Sequence, residues 1–214
     1  MIIFDIETDG LLNDLTKIHC LVFYNTKTKK MRRCVGEEVI DGIDEMACSG
    51  ETWCGHNIMA FDIPAILKVH PYLDLDVEVF DTLVASRLIW CNLKEKDLLK
   101  RTVENKLIGS HSLKAWGQRL NFNKGTYGEQ EDAWETFSEG MLDYCEQDVR
   151  LNVKLYEFIE SKNYPEEPMR LEHEMNRLLI QQERKGFPFD VEKAQRLYTD
   201  LSARKEEIEL KLVN

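Results

Sequence analysis

The chain has 214 residues, 43% of them hydrophobic and 31% charged, with 11 Gly and 5 Pro; that balance excludes collagen, low-complexity linkers and wholesale disorder, and leaves room for one full domain plus an appendage. A formal net charge of -11 argues against a protein that coats nucleic acid electrostatically, since such proteins normally carry a basic excess. No apolar run approaches the roughly 18 residues of a membrane span, Met1-Ile-Ile-Phe-Asp5 shows neither a basic n-region nor a cleavable apolar stretch, and the six cysteines form no C-x-x-C pair. A cytoplasmic chain with reduced, mostly buried thiols and no membrane or disulfide framework is expected.

Residues 1–7 predict a strand, and Lys17–Tyr24 a second whose two alternating sets are both largely apolar, as in a strand covered on both faces. Past the polar turn Asn25–Lys30, Lys29–Val35 pairs back as a half-exposed third. Glu37–Ser49 predicts a helix, Thr52–Gly55 a short buried strand, and Ile63–Val69 a helix whose first turn tolerates Pro64. Val77–Phe80 returns as a strand and Thr82–Cys91 as a helix, an alternation that implies an α/β fold.

From Leu93 helical patterns dominate, with a glycine-punctuated loop near Asn121–Gly128 and a long helix expected from Glu139 to Ser161. Pro165 and Pro168 mark a break, beyond which Met169–Lys185 and Val191–Val213 predict two helices. Gly186 can end the first and Asp190 cap the second. The expected division is a domain over 1–165 and a helical extension over 166–214. The last helix runs on without a stop signal. That suits a chain truncated within a larger protein, a split-gene product, or an oligomerisation helix presenting Val191, Ala194, Leu197, Tyr198 and Leu201.

Charge is uneven: Lys94–Lys124 holds eight basic and three acidic residues, whereas Glu129–Asp148 holds eight acidic and no basic ones. A phosphate track leading to a metal site and two solvated faces are equally consistent with this. The five histidines, His19, His56, His70, His111 and His173, are expected to be packed or at helix ends rather than ligands.

Three carboxylate clusters stand out. On the first strand, Asp5-Ile6-Glu7 places Asp5 and Glu7 on one face, because side chains alternate along a strand. Two negative charges at the end of an apolar strand need a cation or proton, and hard divalent cations prefer oxygen ligands; a strand end entering solvent would look the same. Asp62 follows the short buried strand and is most simply an N-cap of the helix carrying Pro64. In the long helix, Tyr144 and Asp148 are spaced i and i+4 and share a face with Leu151 and Leu155.

Taken together, D-x-E on a first strand, N…F-D before a helix and Y-x-x-x-D in a later helix resemble the proofreading 3′→5′ exonucleases of the ribonuclease-H-like fold. The resemblance is closer still to the N-terminal exonuclease domain of podoviral family A DNA polymerases. Phe80–Leu88, Gly109–Leu120 and Gln182–Asp190 resemble further segments of that family, the last opening its polymerase region. The resemblance implies a mixed central sheet flanked by helices and a helical C-terminal extension. It implies that Asp5, Glu7, Asp62 and Asp148 hold two divalent cations, Mg²⁺ with Mn²⁺ as a substitute, and that Tyr144 bonds the attacking water. It also implies that Thr8, Leu11, Asn57 and Phe61 contact the last nucleotides of a single-stranded DNA 3′ end. A related branch uses His five residues before the last Asp; Asp143 stands there, so the tyrosine branch is implied. The second-motif aromatic is Phe61, where Tyr is frequent. A polymerase domain in the same or a separate chain, in a host cell cytoplasm, would be the partner. A catalytically silent DNA-binding module of the same fold, and an RNA-directed exonuclease, remain open.

Overall fold

The computed structural model describes residues 1–122, 127 and 134–213. The glycine-punctuated loop expected near 121–128 and much of the acidic run after 129 lie outside the described residues. Two compact units are present, Met1–Ile180 and Gln181–Asn214.

The first unit is built on a five-stranded sheet of order β3-β2-β1-β4-β5: β1 (Ile2–Thr8), β2 (Ile18–Asn25), β3 (Lys30–Val35), β4 (Trp53–Gly55) and β5 (Val79–Asp81). β1 pairs antiparallel with β2, β2 antiparallel with β3, and β1–β4 and β4–β5 are parallel, so the sheet is mixed. The two antiparallel pairs follow from short polar connections, whereas parallel neighbours need helical crossovers. Those crossovers are α1 (Glu38–Cys48), between β3 and β4, and α2 (Asp62–Val69), between β4 and β5. Beyond β5 follow α3 (Thr82–Ile89), α4 (Leu93–Lys100), α5 (Leu113–Arg119), α6 (Glu139–Glu160), α7 (Glu166–Lys185) and α8 (Val191–Val213).

The alternation along β1 sorts its side chains into two cores. Ile2, Phe4 and Ile6 pack with Ile43, Met46 and Ile66 of α1 and α2, while Ile3 packs with Cys20, Val22 and Cys54 under Met141, Cys145 and Val149 of α6. Burial on both faces explains why both alternating sets of β2 are largely apolar, whereas in β1 one set, Ile2, Phe4 and Ile6, is apolar and the other passes from Ile3 to Asp5 and Glu7. A third core joins α6 to α3 and α5 through Leu151, Leu155, Trp90 and Trp116, with Trp90 stacked on Phe158 at 5.1 Å. α6 thus has one apolar side on the sheet and another on the helices, which makes it the keystone of the unit.

Two sequence expectations need correction. Pro168 does not break the chain: α7 begins at Glu166 and carries Pro168 in its first turn, where no i−4 carbonyl awaits its missing N–H. The first compact unit accordingly runs through that proline to Ile180, and His173 is buried in it. Asp62 does not cap α2 from outside; it is the helix's first residue, Phe61 stands at the cap, and no side chain caps the end.

In the second unit Gly186, at φ 66°, follows α7, and Asp190 accepts the Lys193 amide at 2.9 Å at the start of α8. Val191, Leu197, Tyr198 and Leu201 are exposed there. No helix among the described residues is long and apolar enough to cross a membrane. All six cysteines are free, Cys48 and Cys91 exposed and the other four buried.

Candidate active site

β4 pairs with β1 only at Ile2 and Ile3, so β1 continues past its parallel neighbour. Asp5 and Glu7 lie on this projecting half, opposite Val22 and Cys20 of β2, and share the face that Ile3 turns toward α6. One carboxylate oxygen of each and the Cys145 sulfur lie within 4.8 Å of one another, a spacing that one cation can bridge. Glu7 is only 9% exposed. Two adjacent acids in such a place fit a hard divalent ion, and their oxygens are the donors such an ion selects. The Cys145 thiol is a poor competitor. It donates to the Asp5 carbonyl at 3.3 Å, and burial, then Cys20, Asp5 and Glu7, push it well above the usual thiol range.

Asp62 comes to the same strand from the other side. Its carboxyl is buried, and the Ile6 amide, between Asp5 and Glu7, is one of its hydrogen-bond donors. Burial pushes Asp62 up to about 7, with Asp81 adding to the rise and the amides of Asp62 and Ile6 opposing it. A carboxyl in that state is fully ionised near neutrality only beside added positive charge. Because Asp62 is not a cap, its carboxylate is available for that purpose.

α6 supplies the third part. Ser138 caps it, accepting from the Met141 amide at 3.1 Å, and Arg33 on β3 pins its first turns through Asp143 at 2.7 Å and Glu146 at 3.4 Å. Asp143 is therefore a surface partner of Arg33. Cys145 reaches β1, Asp148 is buried one turn on, and the Tyr144 ring is flanked by Tyr127 at 6.0 Å and Trp134 at 5.8 Å. Asp62 and Asp148 are not members of the tight Asp5–Glu7–Cys145 trio; their elements pack on opposite faces of β1, α2 with Phe4 and Ile6 and α6 with Ile3.

The four residues expected to meet substrate lie in two places, the end of β1 with the loop after it, and the β4–α2 loop. Thr8 is buried, with its hydroxyl donating to the Gly10 carbonyl at 2.8 Å. Leu11 is 74% exposed at the tip of the following loop. That loop is held by Asp9, which accepts from the Thr16 and Lys17 amides at 2.8 and 3.1 Å; although burial acts to raise it, hydrogen bonds from Thr16 and Lys17 bring its carboxyl down to about 2. Asn57 has φ 71°, and its amide donates to Asp81. Phe61 is half-buried at the cap of α2.

Asp81 organises the second loop. Fully buried, it accepts from the amides of Asn57 at 2.9 Å, Met59 at 3.2 Å and Leu83 at 2.9 Å, tying the β4–α2 loop to the start of α3. Burial still holds its carboxyl above the ordinary range against those three amides. Gly55 admits the tight path: a Cβ there would lie 2.0 Å from Ile58 Cγ2 and 3.0 Å from the Phe4 carbonyl.

The histidines are structural. His19 Nε2 meets the Trp134 carbonyl at 2.9 Å, His111 meets Ser86, His70 ends α2, and His173 Nε2 accepts from the Asp81 amide at 2.8 Å. Of the basic stretch, Arg119 is withdrawn from any surface track by a buried pairing with Asp97 at 2.7 Å, and Lys124 lies outside the described residues. Cys145, the Ile6 amide, Tyr127 and Trp134 join the site without having been expected there. Cys145 was legible from its place three residues before Asp148; a backbone amide and a loop tryptophan leave no spacing signal.

A family model described as the RNase_H superfamily matches residues 2–160. The chain is 35% identical to the DNA-directed DNA polymerase of Escherichia phage T7 and 34% identical to that of Enterobacteria phage T3, over 99% and 97% of its own length. It is homologous to both and spans 36% of each. Among solved structures, one titled "apo form of the nuclease" aligns with TM-score 0.50 at 19% identity, covering 75% of this chain and 71% of that one, a likeness of fold.

Proposed function

We propose, on the premise that the chain belongs to the RNase H superfamily, that it is a metal-dependent 3′→5′ exonuclease. It removes 5′-deoxynucleotides from the 3′ end of single-stranded or frayed DNA and serves as the proofreading part of a phage replicative DNA polymerase. One observation carries this reading: two strand carboxylates converge on the face of β1 that is covered by the helix bearing Tyr144 and Asp148, while the Ile6 amide between them meets the buried Asp62. Homology to two phage polymerases supports the substrate class and the polymerase as partner, in the same or a separate chain.

Asp5, Glu7, Asp62 and Asp148 would hold two divalent cations, Mg²⁺ or Mn²⁺, which when bound supply Lewis-acid charge to the phosphodiester and make water more acidic. The Tyr144 hydroxyl orients the attacking water, its ring braced by Tyr127 and Trp134. Leu11, exposed on a loop whose ends Asp9 ties to Thr16 and Lys17, wedges against the terminal bases; Thr8, Asn57 and Phe61 line their path. Such contacts tolerate any sequence, and a frayed mismatch costs less to unpair than a matched end.

The test is release of label from 3′-terminally labelled single-stranded DNA in Mg²⁺ or Mn²⁺, with unlabelled DNA or RNA of the same sequence as competitor. Labelled 5′-mononucleotide as first product, with DNA the stronger competitor, is expected. Stronger competition by RNA would move the substrate class to RNA, and absence of product with either ion would leave a silent module.

A further inference from the structure

We infer that Thr82 and Asn152, together with His56, are positioning residues that set the helix carrying Tyr144 and Asp148 against the loop carrying Asn57 and Asp62. The inference rests on the exonuclease reading above. Thr82 opens α3 immediately after Asp81 and is fully buried, as is Asn152 at 2% exposure. Its Oγ1 lies 2.7 Å from Asn152 Oδ1, 3.1 Å from the Gly55 carbonyl and 2.9 Å from His56 Nδ1. A hydroxyl has one proton and two acceptor lone pairs, so it cannot donate to both oxygens. Asn152 Nδ2, meanwhile, is a buried donor without a hydrogen-bond partner among the described residues.

Both conflicts point to one assignment. If the Asn152 amide presents Nδ2 to Thr82, the Thr82 proton goes to the Gly55 carbonyl, and the two lone pairs accept from Asn152 and from His56 Nδ1–H. All three contacts then become hydrogen bonds, and His56 is the Nδ1-protonated tautomer.

The placement explains what the group does. Asn152 follows Asp148 by four residues and Tyr144 by eight, so the three lie along one stripe of α6. At the other end, Gly55 and His56 lead directly into Asn57 and, five residues later, Asp62. One buried hydroxyl therefore links the third-motif helix to the second-motif loop, next to the three amides that Asp81 holds. Without it α6 can slide or turn relative to the loop, and displacement of an acid by about 1 Å is enough to lose a large part of the rate.

The test uses the full chain with Thr82→Val, which keeps shape and removes the hydroxyl; Asn152→Asp, which keeps shape and removes the donor; and Thr82→Ser, which retains the hydroxyl. Thr82→Val and Asn152→Asp are expected to lower kcat on single-stranded DNA roughly tenfold and to weaken calorimetric Mn²⁺ binding, as loss of supporting hydrogen bonds does in other metal sites. KM for DNA should stay within about twofold, and Thr82→Ser should restore both quantities. Unchanged kcat and Mn²⁺ binding in the first two, in a wild type that cleaves, overturns the inference and leaves the exonuclease reading intact. A wild type that does not cleave sinks the exonuclease reading; the hydrogen-bond assignment is then decided by ¹⁵N NMR. An Nδ1–H tautomer of His56 with slowly exchanging Asn152 amide protons supports it, and an Nε2–H tautomer overturns it.

Discussion

Replacing Asp81 with alanine removes the acceptor of three backbone amides while leaving the strand and helix sequences intact. Of these amides, Met59 N–H is buried and those of Asn57 and Leu83 are partly so. An orphaned buried donor costs about 1–3 kcal/mol, whereas a partly buried one recovers much of that from water, so the total is about 3 kcal/mol. Loss of the N-cap of α3 is included in that sum, since Leu83 is the capped amide. For a chain of this size each kcal/mol moves the midpoint roughly 2–4 °C, which gives a drop of about 6–12 °C by calorimetry or circular dichroism. The loop freed by the change carries Asn57 and leads into Asp62, so cleavage should fall more than stability predicts, at temperatures where the variant remains folded. A midpoint within about 2 °C of wild type, with full activity, would refute the argument that Asp81 holds this loop.

Asp97 and Arg119 form a buried ion pair with two hydrogen bonds, at 3.0 and 2.7 Å, and Asp97 also accepts the Gly109 amide at 2.8 Å. Although burial acts to raise it, Arg119 and the Gly109 amide hold the Asp97 carboxyl below the usual range. Its contribution is therefore present above the unfolded-state value of about 3.9 and is lost as pH falls through the lower folded one. Arg119→Met should cost about 3–5 kcal/mol at neutral pH by urea unfolding, and a variant as stable as wild type would contradict the buried pairing. Gly55→Ala should destabilise by about 1–3 kcal/mol, because Ile58 is buried and the Phe4 carbonyl belongs to the sheet; an unchanged midpoint would show that this corner yields. Tyr144→Phe should keep the fold and lose roughly 10- to 100-fold in kcat with KM little changed, as expected of a group that orients water; full activity would remove Tyr144 from the chemistry.

β1 and β2 were legible as short apolar runs that end up buried on both faces, and α6 by its helical period, which gives it two apolar sides. Asp5 and Glu7 could be placed on one face from alternation alone. Tyr144 and Asp148 could be placed along one stripe from helical spacing, but nothing local says which side of the sheet that stripe covers. That depends on α6 crossing the face of Ile3 rather than of Phe4, a long-range choice made by Cys145, Met141 and Val149. Pro168 and Asp62 misled for the same reason. Each residue is compatible with either side of a helix start, and only the helix's docking decides where the first turn begins. The hydroxyl of Thr82 was invisible in spacing, because its partners Gly55, His56 and Asn152 come from three separate elements.

The central claim is that the acids around β1 run metal-dependent hydrolysis from a 3′ end. It is tested most directly by incubating 5′-labelled single-stranded DNA with the wild type and with Asp5→Ala, in Mg²⁺ or Mn²⁺ and with EDTA. The account requires a ladder that shortens one nucleotide at a time from the 3′ end in the wild type and is abolished both by EDTA and by the substitution. A ladder that persists in folded Asp5→Ala, or a folded wild type that leaves the DNA intact with either ion, would contradict it.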